Sequence, residues 1–295
     1  MPNALNYAQS YQAALAQAYP YVLHFAALRS TENDGRYKWT GAKTIEIPSL
    51  STTGRVDGSR DTIGTASRNY DNAWEPKTLT NHRKWSTLVH PMDVDETNNA
   101  ASIQNITKVF NETEKFPEMD AYLVSKVFTD WKTASGTPDT DELTVDNILS
   151  KFDAWMEAMD EANVPTTGRL LYLTPATSTL LKQAVEKYRN IQNGDSSIKR
   201  AVENVDNVQI EKVPSALMKT VYDFTEGWKA GVSAKQIHAL LIHPSAVITP
   251  EKYVFAQLEA PSALSEGKYV YFEESYDDVF VLNKRKDAIM FNVEA

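Results

Sequence analysis

A long helical stripe around Pro117 constrains this chain more than any other feature. Across residues 98–131, apolar side chains recur at helical spacing before and after that proline. The stripe consists of Ile103, Ile106, Val109, Phe110, Val124, Val127, Phe128 and Trp131. If Pro117 only kinks the helix, the rod is roughly 50 Å long at about 1.5 Å per residue. Such a rod exceeds one small core and predicts a spine with a lobe at each end. A pair of packed helices broken at Pro117 is the alternative.

The composition predicts a folded protein without cysteine chemistry. The 295 residues, of which 42% are hydrophobic, suffice for about two domains with sizeable cores. Cysteine is absent, which excludes disulfides, thiolate nucleophiles and zinc–thiolate sites. No stretch approaches the roughly 18 continuous apolar residues of a membrane span, and residues 1–11 lack the pattern of a signal peptide. We therefore expect synthesis in a cytoplasm and no membrane partner.

The charge balance argues against a protein that binds nucleic acid tightly. The net charge is −9 and the pI is near 5.2, whereas tight sequence-independent binding depends on a surplus of Lys and Arg. A protein that lies near DNA without binding it tightly would have this balance. The 14 Tyr and 6 Trp residues favour a protein that buries large surfaces between chains.

Residues 1–32 are predicted to form an arm with a helical stripe that ends before Pro20. The stripe comprises Tyr7, Tyr11, Ala14, Leu15 and Ala18. An isolated helix this short is marginal in water and must pack on something. The sequence does not choose between the arm's own domain and a neighbouring chain.

Residues 33–95 predict one long β-hairpin that projects from the protein. Residues 43–48 and 78–89 have the pattern of strands, with Trp85 central in the second. About thirty residues rich in Ser, Thr, Gly, Asp and Arg lie between them, too many for a structureless loop inside a compact domain. A flexible surface loop is the alternative.

An α/β lobe is predicted after a linker at residues 134–141. One helical face begins at Val145 behind a cap at Thr144, and a further helix begins at Pro175. Strands are expected at 169–174, 207–213 and 236–243. The last of these is nearly all apolar and should lie in the centre of a sheet.

The C-terminal part of the chain is predicted to be β. Strands at 253–258 and 268–274 are followed by a predicted hairpin of 278–282 with 288–293. These strands are expected to return and pack along the spine.

No catalytic or cofactor motif is found in the sequence. It contains no phosphate-binding loop, no Gly-x-Gly-x-x-Gly and no Gly-x-Ser-x-Gly elbow. His238 and His243 are five positions apart on one predicted strand, so they point to opposite faces and cannot hold one metal together. The acidic group of Asp139, Asp141 and Glu142 lacks the pattern of a calcium loop. We expect no catalytic residue, no cofactor and no metal.

Five short motifs stand in the order expected for one protein family. They are FPEMDA at 116–121, VPTTGRLLYLTP at 164–175, VP at 213–214, LIHPSAV at 241–247 and YDDVFVL at 276–282. With the order of arm, hairpin, spine helix, α/β lobe and returning strands, they resemble the tailed-bacteriophage major capsid proteins of the Hong Kong 97-like fold. The resemblance covers most of the chain and implies an α+β structural shell protein, not an enzyme.

The resemblance also implies a division of the chain and a set of contacts. The parts are an N-terminal arm at 1–32, an E-loop β-hairpin at 33–95, a P-domain with the spine helix at 96–140, an A-domain at 141–250 and return strands of the P-domain at 251–295. The E-loop would lie over an adjacent subunit, and the A-domain would converge on the capsomer axis. Inter-subunit contacts are expected from Arg55, Asp57, Arg60, Trp74 and Trp85 of the E-loop, and from Trp228 and Lys229 of an A-domain loop. Trp228 is expected to be exposed in the isolated subunit.

The implied assembly is an icosahedral shell of pentamers and hexamers, in a virion. It would enclose double-stranded DNA without sequence-specific binding, and scaffold, portal and head-completion proteins are the implied partners. Some family members carry a long scaffold-like N-terminal segment. Here the arm begins almost at residue 1, so we expect either a separate scaffold or a mature chain.

The alternative from another class is a two-domain cytoplasmic α/β enzyme. Its site would lie at the strand ends near Thr174 and His243. An enzyme should stop at a small closed oligomer, so hydrodynamic size separates the two hypotheses. A tail-tube or other virion protein is a further alternative, which the long central helix disfavours.

Overall fold

The computed structural model describes residues 21–29, 31, 33, 35–57, 60, 68–97, 101–193 and 204–295. The side chains of 188–193 and 204 are not described. The helical stripe predicted for the arm lies outside the described residues, as do residues 98–100 at the start of the predicted spine. Among the described residues, no helix combines the length and apolar character needed to cross a membrane.

The described chain contains α-helices, one π-helical turn, 3₁₀ turns and β-strands. The α-helices are α1 (Ala26–Arg29), α2 (Pro91–Glu96), α3 (Ile103–Phe110), α4 (Phe116–Thr133), α5 (Ile148–Glu161) and α6 (Pro175–Asn193). A π-helical turn (Asn111–Lys115) joins α3 to α4, and 3₁₀ turns occupy Ser215–Leu217, Pro244–Ala246 and Asn283–Ala288. The strands are β1 (Lys38–Trp39), β2 (Thr44–Thr52), β3 (Tyr70–Thr78), β4 (Asn81–Val89), β5 (Leu170–Leu173), β6 (Asn204–Val205), β7 (Val208–Lys212), β8 (Tyr222–Asp223), β9 (Lys229–Ala230), β10 (Ile237–Ile242), β11 (Val247–Ile248), β12 (Glu251–Glu259), β13 (Tyr269–Asp277), β14 (Phe280–Val281) and β15 (Ile289–Val293).

The spine helix passes through Pro117 without a break. The helical residues 103–133 follow one another directly, and they span roughly 45 Å at about 1.5 Å per residue. Pro117 lies in the first turn of α4, where a missing N–H is tolerated. The π turn before it, closed by the N–H of Phe116 donating to the carbonyl of Asn111, widens the helix where the proline ring needs room. The continuous spine is confirmed, and the broken pair of helices is wrong.

The spine is fixed to other elements at both ends of α4. Near its N-terminus, the Arg83 guanidinium of β4 donates to both carboxylate oxygens of Glu118, at 2.5 and 2.9 Å. Near its C-terminus, the Trp131 ring centroid lies 5.2 Å from that of Phe291 in β15. The Trp131 indole N–H donates to the carbonyl of Lys286 at 3.0 Å. α4 is therefore clamped between a β-sheet at one end and the α/β lobe at the other.

The α/β lobe is built on a five-stranded sheet with the order β15-β10-β5-β7-β6. β10 lies between β15 and β5, which confirms its predicted central position. Successive residues of β10 face opposite sides: Leu240 belongs to the core beside the spine, and Leu241 to the core beneath α5 and α6. The sheet is thus buried on both faces, as its nearly continuous apolar sequence predicts.

Asp278 ties the spine to the base of the hairpin and to the return strands. Its buried carboxylate accepts hydrogen bonds from the backbone N–H of Thr80 at 2.7 Å and from the Thr80 hydroxyl at 3.1 Å. It also accepts from the Tyr122 hydroxyl at 2.7 Å and from the N–H of Val279 at 2.8 Å. Burial of a carboxylate is tolerated when its oxygens are satisfied in this way.

The chain enters the described structure along the first turns of α4. The fully buried carboxylate of Asp120 accepts from the Tyr21 hydroxyl at 2.6 Å, from the N–H of His24 at 2.9 Å and from the N–H of Phe25 at 3.4 Å. Burial raises the pKa of the Asp120 carboxyl, and these donors offset only part of that effect. Residues 21–25 are therefore held on the spine by one buried acceptor.

The projecting hairpin consists of β2 and β3. The strand predicted at 78–89 is present as β4, but its assignment as the second strand of the hairpin is wrong, because β3 takes that place and ends at Thr78. β4 instead pairs with β13, in a separate sheet of order β12-β13-β4. The chain turns between β3 and β4 because Leu79 is buried and Asp278 holds the N–H of Thr80.

The predicted C-terminal hairpin of 278–282 with 288–293 is also wrong. β14 pairs with β11, and β15 pairs with β10 at the edge of the five-stranded sheet. The segment Asn283–Ala288 between them forms 3₁₀ turns rather than a tight two-residue turn. Both strands are buried, so each is more stable in a packed sheet than in a free ribbon.

The helix predicted behind a Thr144 cap begins one turn later. α5 starts at Ile148, and Asn147 occupies its N-cap position. The Asn147 side-chain oxygen accepts a hydrogen bond from the N–H of Thr144 at 2.7 Å. The Asn147 side-chain NH₂ donates to the carbonyl of Glu142 at 2.9 Å. These bonds close a local turn that replaces the first helical turn.

We expect Gly136→Ala to destabilise the subunit. A Cβ at Gly136 would lie 2.2 Å from the buried ring of Trp131, so the indole that ends the spine would have to move. The expected loss is about 1–3 kcal/mol of unfolding free energy, as for an overpacked core. Urea denaturation of Gly41→Ala is the matched control, because a Cβ there meets nothing within 4 Å. Equal small effects in both variants would contradict a fixed position for the Trp131 ring.

Candidate subunit-contact surfaces

One face of the hairpin is apolar and exposed. Residues opposite each other in an antiparallel pair share a face, and Pro48 lies opposite Trp74, while Thr52 lies opposite Tyr70. Leu50 alternates onto the same side. The exposed fractions are 63% for Leu50, 53% for Tyr70 and 47% for Trp74. We name Pro48, Leu50, Tyr70 and Trp74 the hairpin apolar face.

The structure separates the residues predicted for the E-loop contact. Arg55, Asp57 and Arg60 are exposed beyond the ends of β2 and β3, and Trp74 lies on the hairpin apolar face. Trp85 is not on the hairpin, because it belongs to β4 and its ring stacks on Phe110 of α3 with centroids 3.8 Å apart. The assignment of Trp85 to the hairpin is therefore corrected, and the contact role of the other four residues stays a prediction.

Two hydrogen bonds orient the hairpin relative to the body of its own subunit. The Asn283 side-chain amide donates to the Glu75 carboxylate at 2.8 Å, and the Lys284 ammonium donates to the carbonyl of Leu50 at 3.0 Å. All four groups are solvent-accessible, so each bond contributes little stability. The hairpin consequently remains a weakly attached element that a neighbouring chain could hold.

β12 is a second exposed element that the sequence analysis did not single out. All of its nine residues are exposed, and it is the edge strand of the sheet β12-β13-β4. Tyr253, Val254, Phe255 and Leu258 are exposed large apolar side chains on it. A long apolar edge strand invites pairing or aggregation unless something covers it. The apolar run 253–256 between Lys252 and Gln257 was the available sequence signal.

Trp228 is half-buried rather than exposed as expected. β8 and β9 pair with each other and fold the loop that contains Trp228 back onto the subunit. The Trp228 ring centroid lies 6.4 Å from that of Tyr222, and the indole packs against the core beside the spine. Lys229 is exposed. Contact of either residue with another subunit stays a prediction, but Trp228 already packs within its own chain.

Buried carboxyls lie where the spine meets the return strands. Burial raises the pKa of the Asp130 carboxyl, although the Lys126 ammonium at 3.6 Å partly offsets it. Burial likewise raises the pKa of the Asp277 carboxyl, and the Arg29 guanidinium at 3.9 Å acts in the opposite direction. These groups are packed among the subunit's own side chains, so their charge bears on subunit stability.

The geometry gives no support to an enzyme site near Thr174 and His243. β5 and β10 are antiparallel, with Leu170 opposite Ile242, so the two residues follow opposite ends of this strand pair. The His243 ring is also occupied, with Nδ1 at 2.7 Å from the Ser245 hydroxyl. Within the described part of the chain, no group of three or more His, Asp or Glu side chains is placed to hold a metal ion.

We expect Trp228→Ala to destabilise the isolated subunit by about 1–2 kcal/mol, between the values for an exposed site and for a buried aromatic. The physical reason is the loss of its packing against Tyr222 and the core. Val232→Ala is the matched control, because Val232 lies in the same loop and is fully exposed. Thermal or urea unfolding measures both variants, and identical stabilities would show that the indole contributes nothing to its own subunit.

We expect Asp130→Asn to become relatively more stable than the native subunit as the pH rises. The pKa of the Asp130 carboxyl is raised in the folded protein, so protonation of this group stabilises the folded state. That stabilisation is complete below the ordinary pKa of 3.8 and is lost as the pH rises through the folded-state pKa. Asparagine does not titrate and keeps this contribution. Unfolding free energies of both proteins, measured upward from the ordinary carboxyl pKa of 3.8, should diverge in that direction. A constant or shrinking difference would contradict the raised pKa.

The fold is that of known phage capsid structures. The capsid structure of cyanophage P-SCSP1u matches with a TM-score of 0.70 at 14% identity, over 95% of this chain and 90% of that chain. The asymmetric unit of the bacteriophage PhiM1 mature capsid gives 0.67 at 13% identity, over 94% and 88%. The head structure of Helicobacter pylori bacteriophage KHP40 gives 0.60 at 11% identity, over 100% and 95%. No protein-family model matches the sequence, and neither does any curated protein. The expected α+β, Hong Kong 97-like fold is confirmed.

Proposed function

We propose that this chain is the major capsid protein of a tailed phage, which self-assembles into an icosahedral shell around a double-stranded DNA genome. The observation that carries the proposal is the likeness to phage capsid and head structures over nearly the whole length of both chains. A likeness of that extent includes the hairpin, the spine and the lobe together. The proposed subunit is structural and performs no reaction.

The hairpin apolar face supports assembly on physical grounds. An isolated two-stranded ribbon is marginal in water, and this one keeps Leu50, Tyr70 and Trp74 in contact with solvent. Burial of apolar surface is worth about 25 cal/mol per Å², so a neighbouring subunit beneath this face would stabilise both chains. In the proposed shell the hairpin acts as an E-loop, and Arg55, Asp57 and Arg60 contact the neighbour at its tip.

The remaining contacts are proposed to be numerous and individually weak. The lobe loop with Trp228 and Lys229 would face its symmetry mates around pentamer and hexamer axes. Because each subunit in a closed shell is held at several places at once, modest contacts sum to a large total stability. The A-domain expected at 141–250 belongs to this proposal, and the proposed E-loop is the hairpin of β2 and β3 rather than the whole of 33–95.

The charge of the chain fits a wall around packed DNA. A net charge of −9 limits non-specific attraction between the inner surface and phosphate groups. The proposed DNA contact is therefore enclosure without sequence-specific binding. Scaffold, portal and head-completion proteins are the proposed partners, and the proposed course is synthesis in the host cytoplasm followed by residence in the virion.

We expect Trp74→Ala to leave the subunit folded but to weaken the shell. The side chain is exposed, so the unfolding free energy should stay within about 0.5 kcal/mol of the native value. Electron microscopy and sedimentation of the expressed protein, with a scaffold supplied where needed, should then show fewer or less stable shells. Asp71→Ala is the matched control, because Asp71 lies opposite Ser51 on the other face of the hairpin.

Two outcomes would contradict different parts of this proposal. A native protein that remains a monomer or dimer in every salt and crowding condition, with scaffold present, would contradict the shell function. Normal shells from Trp74→Ala, beside native ones, would leave the shell function intact and contradict the role of the hairpin apolar face.

A further inference from the structure

A cleft lies beneath the hairpin, between its body-facing side and the body of the subunit. Its volume is about 270 Å³, just below the range of about 300–1,000 Å³ for sites that enclose a whole small ligand. Tyr37, Ile47, Ile248 and Leu282 line it and belong to, or pack against, the small core that joins the hairpin to the body. The cleft therefore has room for one apolar side chain next to that core.

The rim of the cleft is basic. Arg36, Lys284 and Arg285 lie on it and are exposed, and Glu75 is the acidic residue of the lining. The Glu75 carboxylate already accepts a hydrogen bond from the Asn283 side chain. In a chain with a net charge of −9, this local excess of positive charge favours an acidic partner over a basic one.

The loop between β12 and β13, residues 260–268, presents an exposed leucine. Leu264 is 95% exposed. The loop is closed by its own hydrogen bonds, because the N–H of Gly267 donates to the carbonyl of Ser262 at 2.9 Å and the N–H of Ser262 donates to the Ser265 hydroxyl at 2.9 Å. A segment that is already ordered loses little conformational entropy on binding. We name residues 260–268 the Leu264 loop.

The charge around the Leu264 loop is opposite to that of the rim. Glu259 precedes the loop and Glu266 lies within it, and both are exposed. The Lys268 ammonium lies 3.3 Å from the Glu266 carboxylate and offsets one of these two charges. The surroundings of Leu264 therefore carry an excess of negative charge that suits the basic rim.

The Leu264 loop does not reach the cleft of its own subunit. Ile248, which lines the cleft, lies three positions before β12 begins, and the Leu264 loop follows the other end of that strand. The nine residues of β12 span roughly 30 Å at about 3.3 Å per residue. A contact between loop and cleft must therefore join two copies of the chain. Because it uses a different surface on each copy, it can repeat from copy to copy around a ring or shell.

We infer that the Leu264 loop of one copy inserts Leu264 into the cleft beneath the hairpin of a second copy. The inference rests on the proposed shell function and names one contact of the shell. The inserted side chain extends the small core beneath the hairpin, while Glu259 and Glu266 meet the basic rim. An apolar anchor in a pocket with a polar rim is a common organisation of protein interfaces. Since the cleft separates the hairpin from residues 282–285, the same contact fixes the orientation of the hairpin.

The absence of cysteine from the chain permits a disulfide test on assembled full-length protein. Ser49 lines the cleft, so the test variant is Ser49→Cys with Leu264→Cys. Ser49→Cys with Val232→Cys is the matched control, because Val232 is also an exposed apolar residue but has Lys229 and Lys235 as its nearest charged residues in the sequence. Each variant is assembled, with scaffold where needed, and its shells are verified by electron microscopy. The shells are then oxidised with copper-phenanthroline and analysed on a non-reducing denaturing gel.

A further variant, Ser49→Cys with Ala263→Cys, keeps the leucine and gives a readout even if Leu264→Cys weakens the contact. We expect a ladder of covalent dimers, trimers and larger species in at least one of the two loop variants. It should form at least about tenfold faster than any ladder in the control, because the contact raises the effective concentration of the two thiols.

Three results would overturn the inference. Intact shells in which neither loop variant forms a ladder faster than the control would exclude this contact and leave the shell function standing. Covalent dimers from Leu264→Cys alone would show that the Leu264 loop meets its own counterpart instead of the cleft. A native protein that forms no shells, with scaffold present, would contradict the proposed function and this contact together.

Discussion

The packing of α4 against the five-stranded sheet determines where the rest of the chain can lie. Val124, Val127 and Phe128 of the helix share one core with Leu240 and Phe291 of the sheet. The opposite side of α4 receives the Tyr122 bond to Asp278, which fixes the base of the hairpin and the start of β14. Since both sides of this helix are committed to intrachain contacts, the lobe and the return strands cannot shift independently of the spine.

This arrangement leaves the hairpin and β12 without a core of their own. The lobe contains a sheet buried on both faces, and α4 is covered by sheet residues and by residues 21–28. β2 and β3 reach beyond those layers, so only Ile45 near their base is fully buried. β12 is likewise one strand farther out than the helix reaches. Exposed apolar side chains are therefore grouped on each of these two edge elements, while the packed core can form within one chain.

The structural elements that could be predicted from the sequence are those with a long local pattern of apolar residues. The spine carries a long helical pattern and β10 a nearly continuous apolar run, and both were confirmed because tertiary packing reinforces the local pattern. The turn at Leu79 and Thr80 contains neither Gly nor Pro, so β3 and β4 could not be separated by sequence. Trp228 was expected to be exposed because its partner Tyr222 approaches it only after β8 and β9 pair. Contacts such as Asp120 with Tyr21 join distant positions and leave no local pattern.

The distribution of charge separates the stable core from the contact surfaces. Asp120, Asp130 and Asp277 have pKa values raised by burial, and each lies in the packed region between the spine and its neighbours. The hairpin apolar face and the apolar run of β12 instead carry uncharged side chains at the surface. A change of pH therefore acts first on the free energy of folding of the subunit, whereas contacts through these two surfaces depend on apolar burial and resist screening by salt.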